Sequence, residues 1–314
     1  MKTRIMIVIL VLTLLLALSA AWNTSADNPT PWSGDVTRVR ATVPDSSKVY
    51  LPLVQKSSGA SQAIIIDHTN ANIGQVPEYW INQVKALLKL SYGHTSHGSQ
   101  LVSGMGVLRT QNTLYNYNTN GAIQAGILSL HDGTPTGDLG NPDRVTWASR
   151  TQTYLSGTTP PGNNRNVVMW SWCGQVSNAT EADIITYLNL MSQLERDYPS
   201  LRFIYMTGHL DGTGSNGNLY QRNNQIRNYV RVNNKVLFDF ADIESYDPDG
   251  NYYPNDSDAC NWCTTWCANP AHATECNAAA AMSSCAHSHK FNCYRKGQAF
   301  WWMMARLAGW GGAP

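Results

Sequence analysis

The chain has 314 residues, 43% of them apolar and 14% charged, with a formal net charge of +1. That composition supports a substantial core and excludes a disordered chain. There is no run of Lys or Arg, which excludes a nucleic-acid footprint, because neutralising phosphates takes clustered cations. Eleven Trp and fifteen Tyr stand against five Phe. Trp and Tyr join an apolar body to a polar tip, so they suit wet clefts and carbohydrate surfaces as well as cores.

The first 21 residues carry Lys2 and Arg4, an apolar run from Ile5 to about Leu18, and then the small residues Ser19, Ala20 and Ala21. That order predicts a secretory signal. The run is shorter than the ~20 residues needed to span a bilayer, so a retained anchor is the lesser reading and no stable membrane span is expected after signal removal. Cleavage would leave 20 Lys and Arg against 21 Asp and Glu, a nearly neutral mature chain in the extracellular space. Residues 22–62 are rich in Asn, Thr, Ser, Asp and Pro and read as a linker or extended arm, with Val49–Val54 as its one apolar segment.

From residue 63 onward strand and helix signals alternate through to the C-terminus, in one domain of 63–314. "AIIID" is a short buried-strand run, and a helix follows from Pro77 with Trp80, Ile81, Val84, Leu87 and Leu88 at helical spacing. "KLSYG" predicts a strand, and Ser96–Met105 opens a helix. Ala122–Leu130 reads as strand, Val145–Leu155 as helix, and "NVVMWSW" as a buried strand. Thr180 with Asp183 predicts a capping box. "LRFIYMT", a helix near Leu219–Val230, "KVLFDF" and a last helix over Tyr294–Ala308 continue the alternation. The pattern predicts a three-layer α/β/α sandwich with a mainly parallel sheet.

Ligands of open parallel sheets bind beyond the carboxyl ends of the strands. Asp67-His68, His94-Thr95-Ser96, Cys173-Gly174, His209 to Asp211 and Asp242 to Glu244 each follow a predicted strand, so they should converge on one rim. Attack on an acyl carbon needs a hydroxyl near an imidazole and donors for the oxyanion. Ser96 fits the hydroxyl, Gly174 and His209 the oxyanion site, and His287 in "CAHSHKFNC" the base. His94, His97, Asp67, His68 and Asp211 line the rim. Cys173 reads as a buried thiol or as a nucleophile paired with a rim histidine.

"YGHTSHGSQ", "SWCGQ", "TGHLDG" and "AHSHKFNCYRKGQAFWWMMARLAGW" resemble the four blocks of the SGNH (GDSL-like) hydrolase family, over roughly residues 63–314. The "GHTSHGSQ" block also resembles secreted bacterial proteins. The family resemblance implies a serine hydrolase with Ser96 as nucleophile and His287 as base, acting without a cofactor on an extracellular ester or acylated polysaccharide. His209 stands where the family has Asn, and Ser284 where it has Asp. The orienting carboxylate is therefore expected from elsewhere, namely Asp242.

Six of seven cysteines, Cys260, Cys263, Cys267, Cys276, Cys285 and Cys293, form a dense C-terminal cluster read as an insertion with three disulfides of open pairing. Zinc at Cys260, Cys263 and nearby histidines is the rival reading. Asp247–Asp258 gathers oxygen ligands suited to calcium, with a solvated loop as the default. Two further functions stay open: a metal-dependent hydrolase built on His68, His94, His97 and His209, and a non-catalytic module stacking sugars on Trp and Tyr.

Overall fold

The computed structural model describes residues 62–312. The expected signal segment 1–21 and nearly all of the 22–62 arm lie outside the described residues.

Seven strands form one all-parallel sheet: β1 (Ile64–Ile66), β2 (Lys89–Gly93), β3 (Tyr117–Asn118), β4 (Leu128–Asp132), β5 (Val167–Trp170), β6 (Arg202–Met206) and β7 (Val236–Phe238). Their spatial order is β1-β7-β6-β5-β2-β4-β3. All four residues of β5 are buried, as are Leu90, Ser91, Tyr92 and Gly93 of β2, which is the signature of a sheet covered on both faces. The cover comes from two groups of helices. One comprises α1 (Glu78–Leu87), α2 (Ser99–Gln111) and a long C-terminal helix, α9 (Lys290–Leu307). The other comprises α3 (Thr146–Leu155), α4 (Glu181–Asp197) and α5 (Asn218–Val232). Thr180 and Asp183 form the reciprocal capping box at the start of α4.

The winding reverses at β2. The chain leaves it for β3 and β4 on one side, then crosses to β5, β6 and β7 on the other. A doubly wound sheet opens its ligand crevice at such a switch point, beyond the strand carboxyl ends. Residues 94–98 after β2 and residues 171–174 after β5 meet there.

Four boundaries differ from the sequence reading. The helix expected from Ser96 begins at Ser99, because residues 96–98 make a turn first. The Ala122–Leu130 strand is only β4 from Leu128, since a tight Gln124–Ile127 bridge precedes it. "KVLFDF" stops as a strand at Phe238, where the Asp239 carboxylate accepts the Asp242 amide and opens α6 (Phe240–Ser245). The last helix starts four residues early, because the His289 ring accepts the Phe291 amide and caps it.

Between β7 and α9 the chain forms the cysteine-rich insertion, with α7 (Asn261–Cys267) and α8 (Ala273–Ala280). Its six sulfurs pair as Cys260–Cys263, Cys267–Cys276 and Cys285–Cys293. Trp262, Trp266 and Phe291 give it a small core of its own. Helix α9 locks the insertion to the main body by close contact with α2. A Cβ at Gly104 would stand 1.9 Å from the Cys293 carbonyl oxygen, and one at Gly297 2.4 Å from the Gly104 carbonyl carbon. The two backbones therefore touch, and no side chain fits between them.

Candidate active site

The turn after β2 packs tightly. Tyr92 donates its hydroxyl hydrogen to the Gly98 carbonyl, and Ser99 donates amide and hydroxyl hydrogens to the Ser96 carbonyl. This presents Ser96 and His97 toward the end of β5. There the Ser96 hydroxyl lies 3.3 Å from Cys173 Sγ, and His97 Nδ1 lies 3.0 Å from the same sulfur. The other ring nitrogen, His97 Nε2, lies 2.9 Å from Asp258 Oδ2. Asp258 only accepts, so Nε2 carries the hydrogen and Nδ1 offers its lone pair to the thiol. Thiol, imidazole and carboxylate stand in line, each within hydrogen-bond reach of the next.

The supports are specific. Cys173 donates its backbone amide to Gln175 Oε1 at 2.9 Å, and Gln175 Nε2 donates to Asp138 Oδ2 at 2.6 Å. Asp138 also accepts from the Thr95 hydroxyl, so one carboxylate ties both strand-end loops. Asp258 is stitched to the loop after β6: its amide donates to the Leu210 carbonyl, and Asp211 bridges Ser257.

Three imidazoles form a stack with His97 in the middle. The His209 ring lies 3.8 Å away at an interplanar angle of 3°, and the His287 ring 4.4 Å away at 14°. His287 has φ 61°, a left-handed conformation that costs a non-glycine residue about 1 kcal/mol. Burial, then the neighbouring His209, hold His97 down to about 4 from the ordinary 6.5, against the opposing Asp258 hydrogen bond. The ring is thus neutral at pH 7.

This shift predicts a pH-dependent stability. Between about 4 and 6.5 the unfolded chain binds a proton at residue 97 that the folded chain refuses. Stability therefore falls as pH drops through that window, by roughly 3 kcal/mol when it is fully crossed. Urea denaturation at pH 7 and pH 4 will show the loss in the wild type, and the His97→Gln variant will lack this component.

The rim residues separate into groups. Ser96, His97, Cys173, Gly174, His209 and His287 come together. His94 instead contacts Asp132 at 2.8 Å through Nε2. His68 pairs with Asp242 at 2.5 Å and stacks on Tyr246. Burial pushes the Asp242 carboxyl up, and hydrogen bonds from the His68 ring and amide more than offset it, leaving it below the usual carboxylate value. Asp242 is thus not the carboxylate that orients a base here. The early start of α6 turns it toward His68, and Asp258 holds the orienting position, on His97 rather than His287. Asp67 caps its own turn and Asp211 binds Thr213.

His209 lies at the rim, but its Nδ1 hydrogen is committed to the Leu210 carbonyl at 2.7 Å. Its buried Nε2 has no hydrogen-bond partner among the described residues. Gly174 is exposed and next to Cys173.

Searches against protein-family models, curated proteins and solved structures return no match.

The four histidines do not gather at one point: the ligand atoms of His68 lie with those of Asp67 and Asp242, apart from the group that holds His97 and His209. His97, His209 and Asp258 do bring ligand atoms within 4.8 Å of one another. The two rings, however, are stacked nearly parallel, at 3° with centroids 3.8 Å apart, so their in-plane lone pairs do not converge on a common point. The acids of 247–258 diverge likewise: Asp247 serves Asn251 and Tyr253, and Asp256 serves Ser257, Asn261 and Trp262.

A cavity of about 200 Å³ is lined by Asp67, Asp242 and Arg227, and none of Cys173, His97, Asp258 and His209 is among its walls. Its walls also include Leu210 and Asp211, which follow His209 in the chain, together with Asp256, Tyr220, Tyr246 and Tyr252.

Proposed function

We propose that this is an exported acyl hydrolase in which Cys173 is the nucleophile, His97 the base and Asp258 the carboxylate that orients the base. The observation that carries this reading is the unbroken line from Cys173 Sγ through His97 to Asp258, at 3.0 and 2.9 Å. His97 Nδ1 takes the thiol proton as sulfur attacks the acyl carbon, and the developing oxyanion accepts the Gly174 amide hydrogen. The leaving alcohol collects that proton from His97. A water molecule then attacks the thioester, giving its own proton to His97, and the acid departs as sulfur is reprotonated.

Three disulfides fit an extracellular protein, and export through the 1–21 segment is the route that agrees with them. An acylated carbohydrate is the substrate class supported by Tyr220, Tyr246 and Tyr252 in the cavity that Leu210 and Asp211 line. The SGNH-type reading takes Ser96 as nucleophile and His287 as base in place of Cys173 and His97. It is favoured by the Ser96 hydroxyl lying against the same sulfur.

Activity-based labelling tests both. A thiol-directed probe will modify Cys173, mapped by peptide mass, and will block hydrolysis of an aryl acetate. A fluorophosphonate that instead labels Ser96 and abolishes turnover would replace the thiol assignment with the serine one.

A further inference from the structure

Behind the imidazole stack lies a polar network that the proposed chemistry does not touch. Gln100, Glu244, Asn292 and Lys296 are each 0% exposed. Lys296 Nζ donates to Glu244 Oε1 at 2.6 Å and also to Gln100 Oε1, while standing 3.8 Å over the Phe240 ring. Glu244 Oε2 accepts the Leu210 amide at 2.7 Å. Gln100 Nε2 donates to the Ala286 carbonyl at 2.6 Å. Asn292 Nδ2 donates to Ser288 Oγ at 2.8 Å.

The ends of this network fall beside the three stacked rings. Leu210 follows His209, Ala286 precedes His287, and Gln100 sits one helical turn beyond His97. Three chain segments far apart in sequence are thereby referred to a single ammonium group. Stability does not explain the arrangement well, because a buried ion pair is often no better for a fold than apolar residues of the same volume. Its cost is explained if it sets the registry of the rings, since proton transfer depends steeply on donor–acceptor placement.

We propose that Lys296, Glu244 and Gln100 are positioning residues that hold His209, His97 and His287 in stacked register, and through His97 set the rate at which Cys173 is activated. The catalytic half of this statement rests on the Cys173–His97 reading; the structural half does not.

The test uses the full mature chain. Removing Lys296 alone would strand a buried carboxylate, so the main variant is the charge-balanced pair Lys296→Met with Glu244→Gln, and Gln100→Leu serves if the pair does not fold. Imidazole NMR will show the resonances of His97, His209 and His287 shifted or broadened, with the distant His131 and His272 unmoved. Alkylation of Cys173 by iodoacetamide will slow at least tenfold, and kcat on an aryl acetate will fall at least tenfold with KM within threefold. Unchanged imidazole resonances in a folded variant overturn the proposal. Shifted resonances with full activity retained after Cys173→Ala would uphold the positioning device and sink the nucleophile instead.

Discussion

Replacing Cys173 by Ala will lower kcat/KM on an aryl acetate by about 10⁴-fold or more, the scale of losing a nucleophile that acts as one unit with its base. Ser96→Ala will stay within about tenfold, because that hydroxyl touches the sulfur but no imidazole in hydrogen-bond range. Asp258→Asn separates orientation from attack. The carboxylate accepts the His97 Nε2 hydrogen, whereas an amide can also donate to that nitrogen and so favour the tautomer with hydrogen on Nδ1, facing the thiol. A loss of about 10² to 10⁴ in kcat is expected, with KM little changed. Steady-state kinetics on the three purified variants decide the matter. Full activity in the Cys173 variant alongside a dead Ser96 variant would reverse the roles.

The largest expected effect on the fold comes from Gly297→Val. The backbones of α2 and α9 touch at Gly104 and Gly297, with only 2.4 Å between the Gly104 carbonyl carbon and a Cβ built on residue 297. Backbone cannot yield as a flexible side chain does, so the helices must separate. Overpacking at such a point costs at least about 3 kcal/mol, which in a domain of this size lowers Tm by about 10 °C. Gly106→Ala, in α2 but turned away from the α9 contact, is the control. Its nearest neighbour would be the Tyr117 hydroxyl at 3.5 Å, an ordinary contact, and helix propensity favours Ala. Scanning calorimetry will show a large drop for the first variant and little or none for the second; equal Tm values would mean that the helix pair is not held by this contact.

The contrast between fold and site follows from where each kind of information resides. "KLSYG" and "NVVMWSW" are legible as strands because burial on both faces demands unbroken apolar runs, and the Thr180–Asp183 box is legible because its two bonds are three residues apart. Asp258 had no local signal. It sits in an acidic loop that reads as solvated, and its partner lies 161 residues earlier in the chain. The bridge from Asp211 to Ser257 that carries it to the rim is a tertiary pairing, invisible to periodicity. Asp242 was attractive because it follows a strand, but the early start of α6 decided which way it points. Cys173 was visible as the one cysteine outside the cluster, and only the position of His97 favours a thiol nucleophile over an inert one.

The three disulfides link residues only 3, 9 and 8 positions apart, and none joins the insertion to the sheet. Such small loops add little to the constraint on the parallel core. What they brace is the flank that supplies Asp258 and His287. Reduction of the three bonds is therefore expected to loosen this flank and leave the sheet standing.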